Sequence, residues 1–278
     1  MMQLIDGKKV SEIIRKEIKD EVEKLTSPPG LAVVIVGDNS ASKVYVANKI
    51  KSCKQVGIKS FSYEMPKDTT QEGLLALIDE LNENDEVHGI LVQLPLPAHL
   101  DETKILDRIS VKKDVDGFSP YQMGKLVLGQ PELTACTPTG IMEMLKQYNI
   151  DLNGKNAVII GRSNIVGKPM FFMLMKENAT VTVCHSRTKD IKEIAKNADI
   201  LVAALGKAKF VTADMVKEGA VVIDVGINRV DGKLCGDVDF EDVKDKCSYI
   251  TPVPGGVGPM TITMLLHNTI KAYKLYGK

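Results

Sequence analysis

Tyr45 and Lys49 stand four residues apart in the run SASKVYVANKIKSC, residues 40–53. If that run is helical, the two side chains share a face, and Ser42 and Ser52 continue it. An aromatic ring beside an amine is a workable acid–base arrangement. The ring stacks on a planar substrate, and a lysine in a partly desolvated pocket has its pKa lowered toward neutrality. A surface lysine lying along a half-buried tyrosine fits the same two residues, and on those two alone it is the favoured reading. Gln93, in VQLPLP (92–97), ends a predicted strand beside two prolines, where its amide can orient a lysine amine. KDVDGF (113–118) puts two acids, Asp114 and Asp116, at the start of a connection. Gly255, Gly256 and Val257 lie in a Gly/Pro-rich loop spanning 251–261, whose bare backbone permits close packing against a flat ring. Taken singly, these segments are a strand end, a charged turn and a linker.

A second kind of chemistry is suggested by Gly161-Arg162-Ser163-Asn164-Ile165-Val166-Gly167, which follows one predicted strand and opens a helix. Glycine there allows a tight turn and close approach to phosphate, and the helix N-terminus offers free N–H groups to an anion. The spacing is not GxGxxG, and it is not a phosphate-binding Walker loop, because Pro169 stands after Gly167-Lys168 where a Ser or Thr would hold magnesium. A glycine-bearing turn without ligand is the alternative. About 20 residues further on, a unit that binds NAD usually carries Asp or Glu for the ribose hydroxyls. This chain has Cys184-His185-Ser186-Arg187-Thr188 instead. Ser186 and Arg187, with Arg162, suit the 2′-phosphate of NADP, since guanidinium pairs well with phosphate oxygens. Solvated surface charges are the plainer account of the same residues. Asp224-Val225-Gly226-Ile227-Asn228 ends another strand at the sheet edge where ligands bind, which puts Ile227 beside the nicotinamide or its ribose.

Elements of alternating type must hold these residues. Apolar positions Val10, Ile13, Ile14, Ile18, Val22 and Leu25 carry helical spacing over 8–26. Leu31 to Gly37 reads as a buried strand, 42–57 as a helix, and Phe61, Tyr63 and Met65 as alternate positions of a half-exposed strand. A helix around Leu74–Leu81 and a strand over Val87–Leu94 complete a first alternation, which implies a parallel sheet covered by helices. After a Gly- and Pro-bearing stretch, Thr137-Pro138 reads as an N-cap followed by proline at the first helical position. Strands at 157–161, 180–184, 200–205 and 221–225 then alternate with helices, and an amphipathic helix closes at 260–273. The predicted class is α/β: two lobes, one a helix-covered, mainly parallel sheet, the other Rossmann-like, with a cleft between them.

Lys and Arg number 36 and Asp and Glu number 36, which argues against a protein held to nucleic acid by bulk charge. No apolar run approaches the roughly 20 residues that span a bilayer, and the first ten residues are charged without a signal-peptide core, so a cytoplasmic protein is expected. The five cysteines are scattered, with no CxxC pair, and neither they nor the four histidines have metal-ligand spacing. No metal is expected.

The segments YVANK (45–49), VQLPLP, KDVDGF, CTPTG (136–140), GRSNIVGKP (161–169), CHSRT, VIDVGIN (222–228), GDV (236–238) and ITPVPGGVGPMT (250–261) occur together and in this order. The set closely resembles the bifunctional methylenetetrahydrofolate dehydrogenase/cyclohydrolase family, almost from end to end. The resemblance implies oxidation of 5,10-methylenetetrahydrofolate by NADP⁺, then hydrolysis of the methenyl cation to 10-formyltetrahydrofolate, in one-carbon metabolism. It implies Lys49 as the central acid–base residue, Gln93 as its orienting partner, Tyr45 packed on the folate and Asp116 bonded to the pterin, together the catalytic set. Gly255, Gly256 and Val257 would line the folate pocket, while Gly161, Arg162, Ser163, Ser186 and Ile227 would hold NADP. It further implies a folate-binding domain over 1–138 completed by 259–278, an NADP-binding domain over 139–258, and a homodimer formed through the nucleotide lobes. A monofunctional dehydrogenase on the same scaffold, another Rossmann oxidoreductase and a non-catalytic nucleotide binder are the competing readings. Lys49 and Gln93 weigh against the first.

Overall fold

The computed structural model describes residues 2–277. Short strand β1 (Gln3–Leu4) and helix α1 (Gly7–Val22) open the chain. Next come β2 (Gly30–Val36), α2 (Ser40–Val56), β3 (Lys59–Met65), α3 (Gln71–Glu83) and β4 (Gly89–Val92). α4 (Glu102–Arg108) and α5 (Pro120–Val127) follow. The chain separates into two units, one made of the chain through Glu12 with Thr137–Thr261, the other of Ile13–Cys136 with the chain from Ile262.

In the second of these units β2, β3 and β4 form a sheet of order β3-β2-β4, all parallel. β2 is central and buried along its whole length, which is why it reads as an unbroken run of apolar residues. β3 lies at the edge, and its exposed and half-buried positions produce the alternation seen in the sequence. α3 buries Leu74, Ile78 and Leu81 on one stripe, against Ala32, Val34, Ile90 and Val92 of the sheet. Each such side chain contributes about 2 kcal/mol by leaving water. α2 is closed at both ends by its own sequence. The Asn39 side chain accepts from Ser42 N at 3.0 Å, and Gly57 takes the left-handed conformation at φ 82°. It buries Ser42, Val46, Cys53 and Val56 and leaves Tyr45 exposed.

The other unit is built from α6 (Cys136–Gln147), β5 (Asn156–Ile160), α7 (Gly167–Lys176), β6 (Thr180–Cys184), α8 (Ile191–Ala195), β7 (Ile200–Ala203) and β8 (Ala220–Asp224). A hairpin of β9 (Asn228–Val230) and β10 (Lys233–Cys235), then α9 (Phe240–Val243), β11 (Cys247–Ile250) and the first turn of α10 (Val257–Tyr276) complete it, while the rest of α10, from Ile262, belongs to the unit of the β3-β2-β4 sheet. Its six-stranded sheet has the order β1-β11-β8-β7-β5-β6 and is parallel throughout. From β5 the chain moves outward to β6, then returns past β5 to β7. That reversal leaves a crevice beyond the carboxyl end of β5, the place where open α/β sheets take ligands.

Three expectations change. The first residues join the six-stranded sheet instead of the 1–138 domain, because Gln3 and Leu4 pair with Tyr249 and Ile250, and Lys8 N donates to Gly255 O at 3.0 Å. Thr137 is not an N-cap. The helix already begins at Cys136, and the Thr137 hydroxyl lies 2.9 Å from that of Thr261. The Gly/Pro loop ends at Gly256, since α10 starts at Val257 and takes Gly258 and Pro259 into its first turn, where a missing N–H costs no helical bond.

Candidate active site

Helix α2 and the end of β4 bring Lys49 and Gln93 together across 44 residues of sequence. Lys49 Nζ donates to Gln93 Oε1 at 2.8 Å. The other end of that amide is committed as well, because Gln93 Nε2 donates to Leu94 O at 2.7 Å. Gln93 N in turn donates to Val34 O at 2.8 Å, which continues the β2–β4 ladder by one residue. With its nitrogen tied to Leu94, the amide has only its oxygen to offer the lysine, so the orientation is set by the backbone. Burial pushes the Lys49 pKa below the usual lysine value, opposed first by the charge of Asp116.

The two acids of KDVDGF have different fates. Asp114 is buried, and its Oδ1 accepts from Gly117 N at 3.0 Å and Phe118 N at 3.3 Å while its Oδ2 accepts from Ser119 N at 2.8 Å. It is spent on the turn. Gly117 belongs to the same turn at φ 70°, where a Cβ would lie 2.4 Å from the Thr134 carbonyl carbon. Asp116, two residues away and half-buried, makes no hydrogen bond among the described residues. Burial pushes its carboxyl up to about 6, with Lys49 pulling it down and Asp114 pushing it further up. An amine with a lowered pKa thus acts by its charge on a carboxyl with a raised one, the combination expected where protons move. Tyr45 stands one helical turn before Lys49 and is 42% exposed, leaving its ring open to a ligand.

Gly255, Gly256 and Val257 belong to the unit of the six-stranded sheet. Gly255 has φ 104°, and a Cβ on Gly256 would lie 2.5 Å from Pro252 O, so both must be glycine in this turn. Val257 is buried at the start of α10.

The crevice beyond β5 has the form of a dinucleotide cradle. Gly161 takes φ 137°, and a Cβ there would sit 2.1 Å from Ala204 O, while one on Gly167 would sit 2.2 Å from Gly161 O. The Ser163 hydroxyl accepts from Val166 N at 3.1 Å and Gly167 N at 3.4 Å, which ties the turn to the start of α7 and leaves its own proton free to donate. Ile160 is in register with Cys184, so the exposed Arg162 follows one strand while the exposed Ser186 and Arg187 follow its neighbour. The turn carrying the latter is held by His185 N donating to Thr188 Oγ1 at 2.9 Å and Thr188 N to His185 O at 2.8 Å. Bare backbone at a helix start, flanked by guanidinium groups without a carboxylate in the His185–Thr188 turn, fits a dinucleotide bearing a 2′-phosphate. Ile227 is 51% exposed at the end of β8.

Residues that sequence reasoning missed also lie at this edge. Asp224 is buried and accepts from Gly226 N, Asp237 N and Val238 N at 2.9–3.0 Å. The fully buried Asp237 accepts from Leu205 N, Gly206 N and Asn228 Nδ2 at 2.7–2.9 Å. The VIDVGIN segment contained Asp224 and GDV contained Asp237, but neither acid was given a role. Among the described residues no group of three or more His, Cys, Asp or Glu is placed to hold a metal ion, and no helix is long and apolar enough to cross a membrane.

Comparison with known proteins gives concordant matches. The family model for the tetrahydrofolate dehydrogenase/cyclohydrolase catalytic domain matches residues 5–116, and that for its NAD(P)-binding domain matches residues 135–276. The bifunctional protein FolD of Agathobacter rectalis is 58% identical over 278 residues, covering 99% of this chain and 100% of that protein. The crystal structure of the bifunctional methylenetetrahydrofolate dehydrogenase/cyclohydrolase from Campylobacter jejuni is similar with a TM-score of 0.97 at 54% identity, covering 99% of each chain. That of Trypanosoma brucei, complexed with NADP cofactor and an inhibitor, gives 0.94 at 39% identity, covering 99% of this chain and 98% of that one.

Proposed function

The chain belongs to the tetrahydrofolate dehydrogenase/cyclohydrolase family, and from that membership we propose how its residues divide two activities. The enzyme oxidises 5,10-methylenetetrahydrofolate to the 5,10-methenyl cation and hydrolyses the cation to 10-formyltetrahydrofolate. When bound, NADP⁺ supplies the hydride acceptor for the first reaction. The Gly161–Gly167 turn would take its pyrophosphate at the start of α7 with Ser163 donating to it, and Arg162, Ser186 and Arg187 would hold the 2′-phosphate. Ile227 borders the nicotinamide end. The unit carrying these residues is the NADP-binding domain, and the unit carrying Lys49 is the folate-binding domain.

The second reaction needs proton transfer. Water adds to the methenyl carbon, and as the ring opens a proton must leave the oxygen and another must reach a folate nitrogen. Lys49 relays these protons, because burial brings its amine nearer to losing one. Gln93 takes one N–H of that amine and fixes where the rest points. Tyr45 packs its ring on the pterin. Asp116 accepts hydrogen bonds from the pterin N–H edge, and family membership assigns Gly255, Gly256 and Val257 to folate binding as well. The single observation carrying this reading is the Lys49–Gln93 bond, formed by the amine whose charge acts on Asp116, a carboxyl that makes no hydrogen bond among the described residues.

The Asp116 carboxyl tests it through pH. Its pKa, about 6, lies above the ordinary 3.8, so it is ionised at neutral pH and takes up a proton as the pH falls through 6. The ionised form has both oxygens free to accept, so KM for methenyltetrahydrofolate is expected to rise several-fold below about pH 6. In Asp116→Asn that acid limb should vanish, with a raised KM at every pH. A variant profile that keeps the wild-type limb would remove Asp116 from the pocket.

We further propose that the enzyme is a cytoplasmic homodimer. All five cysteines are free thiols, which suits a reducing compartment, and cell fractionation checks it. β6 is an edge strand with one unpaired side, and Ile165 and Met175 of the neighbouring segment are 44% and 46% exposed. A second copy would cover that edge. Sedimentation giving the mass of one 30.4 kDa chain would dismiss the dimer.

A further inference from the structure

We propose that Asp237 is a positioning residue for the dehydrogenase reaction, holding in place the two loops that receive the nicotinamide end of the dinucleotide. The proposal rests on the dinucleotide reading above. Sheet order gives the direction. The pyrophosphate turn follows β5 and the 2′-phosphate residues follow β6, so the remainder of the dinucleotide must run the other way, over the ends of β7 and β8. Asp237 ties those two ends together. Its Oδ2 accepts from Leu205 N at 2.7 Å and Gly206 N at 2.9 Å, just after β7. Its Oδ1 accepts from Asn228 Nδ2 at 2.9 Å, just after β8.

Asp224 anchors the other side of the same assembly. It accepts from Gly226 N at 3.0 Å and Asp237 N at 2.9 Å, and its own N donates to Thr251 Oγ1 at 2.7 Å, at the head of the Gly/Pro loop. Ile227 therefore projects from between two pinned neighbours, Gly226 and Asn228. The sequence gives up side chains to make room. A Cβ on Gly226 would lie 2.3 Å from Asp237 Oδ1, and one on Gly236 would lie 1.7 Å from Asp224 Oδ2. Buried carboxylates that bond neutral N–H groups from separate loops fix the spacing of those loops, and small shifts in such spacing are costly where a ring must be aligned.

The test uses Asp237→Ala and the milder Asn228→Ala, whose lost amide donates to Asp237. Hydrolysis of preformed methenyltetrahydrofolate requires no dinucleotide and serves as the gauge of folded enzyme. Relative to it, KM for NADP⁺ should rise about tenfold in Asp237→Ala and about threefold in Asn228→Ala, with a smaller change in dehydrogenase kcat. If Asp237→Ala does not fold, Asn228→Ala decides alone. Parallel loss of both activities at unchanged KM for NADP⁺ would reduce Asp237 to a support of the fold and overturn the proposal. Absence of NADP⁺ binding by the wild-type enzyme would instead overturn the dinucleotide reading beneath it.

Discussion

Lys49→Ala should lower the cyclohydrolase kcat by about 10²–10⁴-fold, the range that a positioned acid–base group supplies. The substitution removes the amine that Gln93 orients and leaves Gln93 Oε1 to a water or to substrate. Folate binding should change much less, because Tyr45 and Asp116 remain. The dehydrogenase reaction should also fall less, since it relies on alignment and on the push of a substrate nitrogen lone pair instead of on a base. A second readout comes with it. Lys49 is the charge that lowers the Asp116 pKa, so its removal should move the acid limb of the folate KM profile above its wild-type position near pH 6. Cyclohydrolase turnover within a few-fold of wild type would end the acid–base role. Loss of turnover with an unmoved limb would separate Lys49 from Asp116.

Gly161→Ala should abolish NADP⁺ binding and destabilise the protein. The new methyl group would sit 2.1 Å from Ala204 O, on a backbone with φ 137° that L-residues rarely adopt. Overpacking and backbone strain together cost about 3 kcal/mol or more. That corresponds to a fall in melting temperature of roughly 6–12 °C for a chain of this size. Relief of the clash must push Gly161 and Ala204 apart, and both border the crevice proposed to take the dinucleotide. A variant with wild-type melting temperature and NADP⁺ affinity would show that the β5 turn tolerates a side chain, and the phosphate would then have to bind elsewhere.

The parts of this molecule that were legible in the sequence share one property: their burial leaves a mark on residue type. β2, β5 and β8 are runs of β-branched and apolar residues because both faces of a central parallel strand are covered. β1 and β11 are two and four residues long and only partly apolar, so no periodicity could announce them. The hairpin of β9 and β10 is mostly exposed and equally silent. At the site, Tyr45 and Lys49 were visible as helix neighbours, and Gln93 as an amide able to orient a lysine, but the pairing of Gln93 with Lys49, 44 residues away, came from the resemblance. Asp114 and Asp116 were indistinguishable as letters. What separates them is that Asp114 bonds three backbone N–H groups, and backbone partners are the same for every residue type. The roles of Asp224 and Asp237 escaped notice for the same reason.

The pairing of β1 with β11 sets an order of events as the protein is made. Gln3 and Leu4 leave the ribosome long before Tyr249 and Ile250, their partners in the sheet, which lie 246 positions further along the chain. Every strand of the β3-β2-β4 sheet has emerged well before that moment. The amino end therefore waits through most of translation for the strand it will pair with, and its arrival closes the outer edge of the nucleotide-binding sheet.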